Sequence, residues 1–166
     1  MKKAEPCKLI WLDECGVDEE TQRPYARSPK GQRVYGDIPG KRTHKRMTVI
    51  AGYLHKKLIA PFRFKGYTNT TVFETWVESC LVPLLVIGQI IIMDNATFHK
   101  AQSIQDKIEA AGATVLFLPP YSPDLNKIEP QWSVLKSRLR KNKDRYAEFL
   151  DNLDAQLKEM STYNIN

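Results

Sequence analysis

The sequence has three cysteines, Cys7, Cys15 and Cys80, and no two of them form a C-x-x-C pair. An odd number at wide spacing argues against a disulfide framework and a zinc ribbon, and fits a reducing cytoplasm. Long hydrophobic runs are missing. None approaches the roughly 18 residues of a membrane helix, and the opening MKKAEPCKLIW lacks the apolar core of a signal peptide. Histidine is scarce, and His44, His55 and His99 show no zinc-ligand spacing. There is no internal repeat and no low-complexity tract. What is present is ample apolar material. The 166 residues are 42% hydrophobic and 10% aromatic, enough for one domain with a full core and no metal or disulfide staple. The net charge of +6 favours an anionic partner, although many enzymes share such an excess.

Hydrophobic periodicity orders the chain. CKLIWLDE, residues 7–14, is a short apolar run closing on two carboxylates and predicts a strand. Residues 16–45 form a basic, turn-rich insertion punctuated by Gly16, Gly31, Gly36, Gly40, Pro24, Pro29 and Pro39. RMTVIAGYL and KLIAPFRFKGY predict an antiparallel pair turning at His55 and Lys56, with Pro61 on an edge or at a bulge. Thr71 and Glu74 fit a capping box, and Val72, Phe73, Trp76, Val77, Cys80, Leu81 and Leu84 follow at helical spacing. IIIM, residues 90–93, predicts a central strand buried on both faces. Ala101, Ile104, Ile108 and Ala111 predict a helix that Gly112 stops, and TVLFL, residues 114–118, another buried strand. PPYSPDLN must be a loop, because its prolines forbid regular structure. Ile128, Trp132, Leu135 and Leu139 then form one helical stripe. Tyr146, Phe149, Leu150, Leu153, Leu157 and Met160 form a second, on a C-terminal helix over residues 145–160. The order predicts a single domain over residues 1–166, an α/β fold with a mixed central sheet flanked by helices.

Two of these strands end in aspartate, at Asp13 and Asp94, and function in open α/β sheets collects at the carboxyl ends of strands. Glu129 opens the helix after the proline loop. Three carboxylates converging on one point repel one another unless divalent cations neutralise them. Hard oxygen ligands with positions left for water and phosphate suit Mg²⁺ or Mn²⁺. Two such ions about 4 Å apart activate a nucleophile and stabilise the leaving oxygen at a phosphodiester. Each residue also has a plainer reading. Asp13 could simply end a strand. Asp94 could start a turn with Asn95. Glu129 could close a capping box with Asn126. Glu14 alternates to the face opposite Asp13 and is a supporting or structural residue. His99 reads as a structural histidine opening the next helix, and at most as a neighbour of the site.

WLDECG, IIIMDNATFHK and LFLPPYSPDLNKIEPQW together resemble the three catalytic blocks of the IS630 transposases, in the wider Tc1/mariner-like group with a DDE or DDD triad. Thirty-four residues separate Asp94 from Glu129, similar to the short gap between the last two acids in that group. The resemblance runs from Cys7 to about Asn142. It implies an RNase H-like fold with Asp13, Asp94 and Glu129 as the catalytic, metal-binding triad. It also implies two divalent ions, Mg²⁺ or Mn²⁺, cleavage of double-stranded DNA at transposon ends, and strand transfer into a TA dinucleotide. Asn95, His99 and Asn126 would be site neighbours. The chain departs from the family in having Lys127 where proline is common. It also lacks the usual N-terminal helix-turn-helix modules, so it looks like a catalytic domain alone: the second of two reading frames, with a separately encoded helix-turn-helix polypeptide, an excised domain, or a decayed copy.

Basic residues flank these three acids in sequence. Lys30, Arg33, Lys41 and Arg42 lie in the turn-rich insertion, and Lys136 and Arg140 share a helical stripe with Glu129. Such cations position phosphates without reading bases. The expected assembly is a homodimer or higher oligomer on DNA, in the cytoplasm at the nucleoid. Two other readings remain on these residues: an RNase H-like nuclease without strand transfer, and an inactive DNA-binding remnant or domesticated partner.

Overall fold

A computed structural model of the chain describes residues 8–19, 46–120 and 122–161. Among them, five strands form one sheet in the order β3-β2-β1-β4-β5. These are β1 (Leu9–Asp18), β2 (Arg46–Leu54), β3 (Lys57–Lys65), β4 (Ile90–Met93) and β5 (Thr114–Phe117). The first three make an antiparallel meander, and β4 and β5 run parallel to β1, so the sheet is mixed as expected. The β2–β3 hairpin turns through His55 and Lys56, both at positive φ (51° and 63°), the twist that suits a tight hairpin. Pro61 lies on the outermost strand. There Ile50 pairs with Phe62 and Gly52 with Ile59, so two residues of β3 oppose one of β2. The bulge removes Pro61 from the ladder it cannot donate to.

Both faces of β1 are covered. Ile10 and Leu12 pack with Phe73, Trp76, Ile104 and Ile108 on one side. Cys15 and Val17 pack with Trp132, Leu135, Leu153 and Leu157 on the other. The helices that supply these residues are α1 (Thr70–Trp76) and α2 (Gln102–Ala110) on the first face, and α3 (Glu129–Lys141) and α4 (Phe149–Met160) on the second. Strand alternation therefore assigns neighbouring β1 residues to different layers. Gly112 stops α2 at φ +81°, a left-handed position that glycine tolerates.

Several expectations are corrected. The first strand does not end at Glu14. It continues to Asp18 because Cys15–Asp18 keep pairing with β2, out to Asp18 opposite Arg46. The insertion therefore begins later than residue 16, and residues 20–45 lie outside those described. α1 is not capped by a Thr71–Glu74 box. Asn69 is its N-cap, extended at φ −133°, and its side chain accepts from the Val72 N–H at 2.9 Å. The helix then loosens into a π turn at Val77–Leu81 and a 3₁₀ turn at Val82–Leu84, which contains Pro83, a residue with no N–H to donate. β5 is an edge strand with alternate residues exposed, not a buried one. The proline loop holds a short 3₁₀ turn, Pro123–Leu125. The last helix starts at Phe149, after a 3₁₀ turn at Lys143–Arg145 and an extended Tyr146.

Candidate active site

β1 and β4 pair in parallel only as far as Trp11 opposite Ile92. Two residues further along each strand, Asp13 comes level with Asp94. Asp13 is thus not a strand end. It stands where β1 outruns its neighbour, still paired to Ala51 of β2 on the other side. The loop after β4 is tied to the loop after β5, because the Asn95 amide donates to the Leu118 carbonyl and Leu118 N–H donates to the Met93 carbonyl at 2.8 Å. These links bring Pro119 and Pro120 beside Asp94. The result is a cleft of about 370 Å³, lined by Asp13, Asp94, Asn95, Asn126 and Glu129 together with that proline wall. All three acids singled out from the sequence line it. Of the three expected neighbours, Asn95 and Asn126 line it too, and His99 lies beneath Asp94.

Asp13 is buried, and its Oδ2 accepts a hydrogen bond from the indole Nε1–H of Trp132 at 3.0 Å. Burial pushes its carboxyl up to about 7 from an ordinary 3.8. The Glu14 charge adds to this, the Trp132 bond opposes it, and Glu129 adds again. Such a group gains from a nearby cation. The sequence placed Trp132 only in the apolar stripe. Its polar role was missed, and the available signal was its spacing, one helical turn after Glu129.

Asp94 is half exposed, and its Oδ1 takes two donors, His99 Nδ1 at 2.6 Å and the Ala96 N–H at 2.9 Å. The turn reading of Asp94 and its place in the cleft are therefore compatible, since one oxygen serves the turn. The His99 bond leads the causes that hold its carboxyl below the usual range. His99 itself does not open α2. It sits in the preceding 3₁₀ turn, Thr97–Lys100, and is fully buried. Burial alone would lower its pKa, but the carboxylates of Asp94 and Glu14 outweigh that and raise it to about 9.

Glu129 is the first residue of α3, whose N-cap, Ile128, offers no side-chain bond. The capping box with Asn126 does not form. Glu129 N–H meets the Asn126 backbone carbonyl at 3.2 Å instead. The Glu129 side chain is left exposed at the cleft, and the buried Asn126 Oδ1 has no hydrogen-bond partner among the described residues. On the same helix Lys136 is half-buried and Arg140 exposed. Burial raises the Cys15 thiol pKa, with the Lys136 ammonium opposing it. Lys30, Arg33, Lys41 and Arg42 lie outside the described residues.

The donor set fits a hard divalent cation. Every candidate atom is oxygen, Asp13 is a carboxylate short of positive charge, and Asn126 Oδ1 is an orphaned buried acceptor. Among the described residues, no group of three or more His, Cys, Asp or Glu side chains lies placed to hold a metal ion. Mg²⁺ does not need one, because it keeps several waters and binds through one or two carboxylates plus substrate phosphates. No described helix is long and apolar enough to cross a membrane.

No curated protein sequence matches the chain. Among solved structures, the mariner Mos1 strand transfer complex shares 16% identity at a TM-score of 0.66, over 96% of this chain and 48% of that one. A simian T-cell lymphotropic virus intasome complex shares 16% at 0.61, over 97% and 50%. The catalytic core domain of BIV integrase shares 12% at 0.52, over 96% and 87%. At these identities the likeness shows the fold, which is RNase H-like. The chain spans about half the length of the Mos1 chain it matches. The model of the DDE superfamily endonucleases matches residues 8–154, a stretch that holds Asp13, Asp94 and Glu129, and the chain belongs to that family.

Proposed function

We propose that this chain is the catalytic domain of a transposase, of IS630 type within the Tc1/mariner-like group. It cuts DNA at transposon ends and joins the freed 3′ ends to target DNA at a TA dinucleotide. The observation that carries the reading is the single cleft shared by Asp13, Asp94 and Glu129. Asp13 and Asp94 would hold two Mg²⁺ or Mn²⁺ ions, with Glu129 completing the shell of one. Mos1 complexes with Mn and with Mg, of the same fold, support that choice. When bound, such ions supply Lewis acidity to the attacking and leaving oxygens.

The protein's own groups set the stage. Trp132 fixes the rotamer of Asp13, and His99 with the Ala96 N–H fixes Asp94. The Asn95 amide, bonded to the Leu118 carbonyl, holds the proline wall against the cleft. Lys136 and Arg140 carry the DNA backbone away from Glu129 along α3, and Lys30, Arg33, Lys41 and Arg42 add further phosphate contacts. The active assembly is a homodimer or higher oligomer on paired DNA ends, as the Mos1 paired-end complex suggests. Helix-turn-helix modules read those ends, and the complex works at the nucleoid.

The test is a joining assay with labelled transposon-end duplex, a TA-bearing plasmid and Mg²⁺. Wild-type protein yields joined product. Asp94→Asn loses more than about a hundredfold, because a direct ligand should cost more than the 10–100-fold of a residue that supports one. Cleavage without joining would leave a nuclease, and full activity in Asp94→Asn would remove Asp94 from the site.

A further inference from the structure

Asp13 and Glu14 leave β1 on opposite faces. Asp13 turns toward α3. Glu14 turns toward the layer of α1 and α2, where the rings of Phe73 and Phe98 close round His99 at centroid distances of 4.5 and 4.4 Å. Both nitrogens of that buried ring meet a carboxylate. Nδ1 lies 2.6 Å from Asp94 Oδ1, and Nε2 lies 3.3 Å from Glu14 Oε2. The second contact is an ion pair that falls short of a hydrogen bond. His99 Nε2 and Glu14 Oε2 are both buried, and neither has a hydrogen-bond partner among the described residues. Stranding either would be costly, so each accounts for the other.

The consequence falls on Asp94. Its Oδ1 is committed to His99 and to the Ala96 N–H, while among the described residues no hydrogen bond reaches Oδ2. One oxygen is clamped and the other is left to the cleft.

We propose that Glu14 is a positioning residue for Asp94, acting through His99 from the far face of the sheet. The inference rests on the reading of Asp94 as a metal ligand. Adjacent residues of one strand then serve both aspartates: Asp13 lines the cleft itself, and Glu14 holds the ring that aims Asp94. A carboxylate clamped at one oxygen binds a cation through the other, with little reorganisation.

The experiment is calorimetric titration of the DNA-free protein with Mn²⁺. Glu14→Ala should weaken binding roughly tenfold, as removal of a residue that orients a ligand does. Glu14→Gln keeps an acceptor facing Nε2 and should retain most of the affinity. In a His99→Gln background, Glu14→Ala should have no further effect, since the route through the ring is already broken. Additive losses in the double variant would overturn the proposal, and so would unchanged affinity in Glu14→Ala. If Glu14→Ala does not fold, Glu14→Asp, which keeps the charge and loses the reach, takes its place with the same expectations. Asp94→Asn separates the two possible failures. Intact Mn²⁺ binding in that variant removes the underlying reading of the site. Lost binding there, with Glu14→Ala unaffected, removes only the link through His99.

Discussion

Replacing Asp13 by Asn should stabilise the metal-free protein, and the gain should depend on pH. Asp13 is buried, and its carboxyl is raised from 3.8 to about 7. Between those values the folded protein holds a proton that the unfolded chain has released. The stability of the metal-free protein therefore falls as pH rises through this window. Three units at 1.36 kcal/mol each make the full penalty about 4 kcal/mol, reached above about pH 7 and absent below about pH 4. Asn is neutral throughout and still offers an oxygen to the Trp132 indole. Guanidinium unfolding in EDTA should thus show Asp13→Asn little different from wild type near pH 4, and more stable by up to about 4 kcal/mol near pH 8. That corresponds to on the order of 10 °C in Tm for a domain of this size. Added Mg²⁺ should close the gap by stabilising wild type alone. A gain of equal size at both pH values would refute the reasoning, because it would not come from the buried charge. A variant less stable than wild type near pH 8 would refute it outright.

Trp132→Phe keeps an aromatic ring in the core but removes the donor to Asp13. It should cost about 1.5–3 kcal/mol in urea unfolding near pH 8, the worth of a hydrogen bond to a charged group, and move the acid limb of the cleavage pH profile upward. Lys136→Ala and Arg140→Ala should each weaken DNA binding without regard to sequence and lower the slope of log affinity against log salt by about one, read by fluorescence anisotropy; an unchanged slope would place that cation off the DNA. Asn69→Ala should destabilise the fold by about 1 kcal/mol through the lost cap of α1, whereas Thr71→Ala should cost only a few tenths, a difference thermal unfolding would resolve.

Local patterns made most of the elements legible. The stripe from Ile128 to Leu139 is buried as spaced, Gly112 ends α2, and Pro61 sits at a bulge on the edge strand. Such signals work because helical period, left-handed stops and missing donors are properties of a few adjacent residues. Ends and caps were less legible. Asn69 and Thr71 both precede helical spacing, and only the extended backbone at Asn69 decides which one caps. β5 looked buried because apolar composition cannot tell an edge strand from a central one.

The same division runs through the site. The sequence by itself singled out the residues proposed to carry its chemistry: two aspartates after apolar runs, a glutamate after a proline-rich loop, and a basic stripe beyond it. Alternation also determined that Asp13 and Glu14 face apart. Only the tertiary structure decided what each of them meets. The register of β1 against β4 brings Asp13 level with Asp94, and the docking of α3 carries Trp132 to Asp13 across 119 residues of chain. The 3₁₀ turn after β4 sets His99 between Asp94 and Glu14. Periodicity states which way a side chain points, but its partner depends on which strands and helices pack together, and that is settled by the whole core.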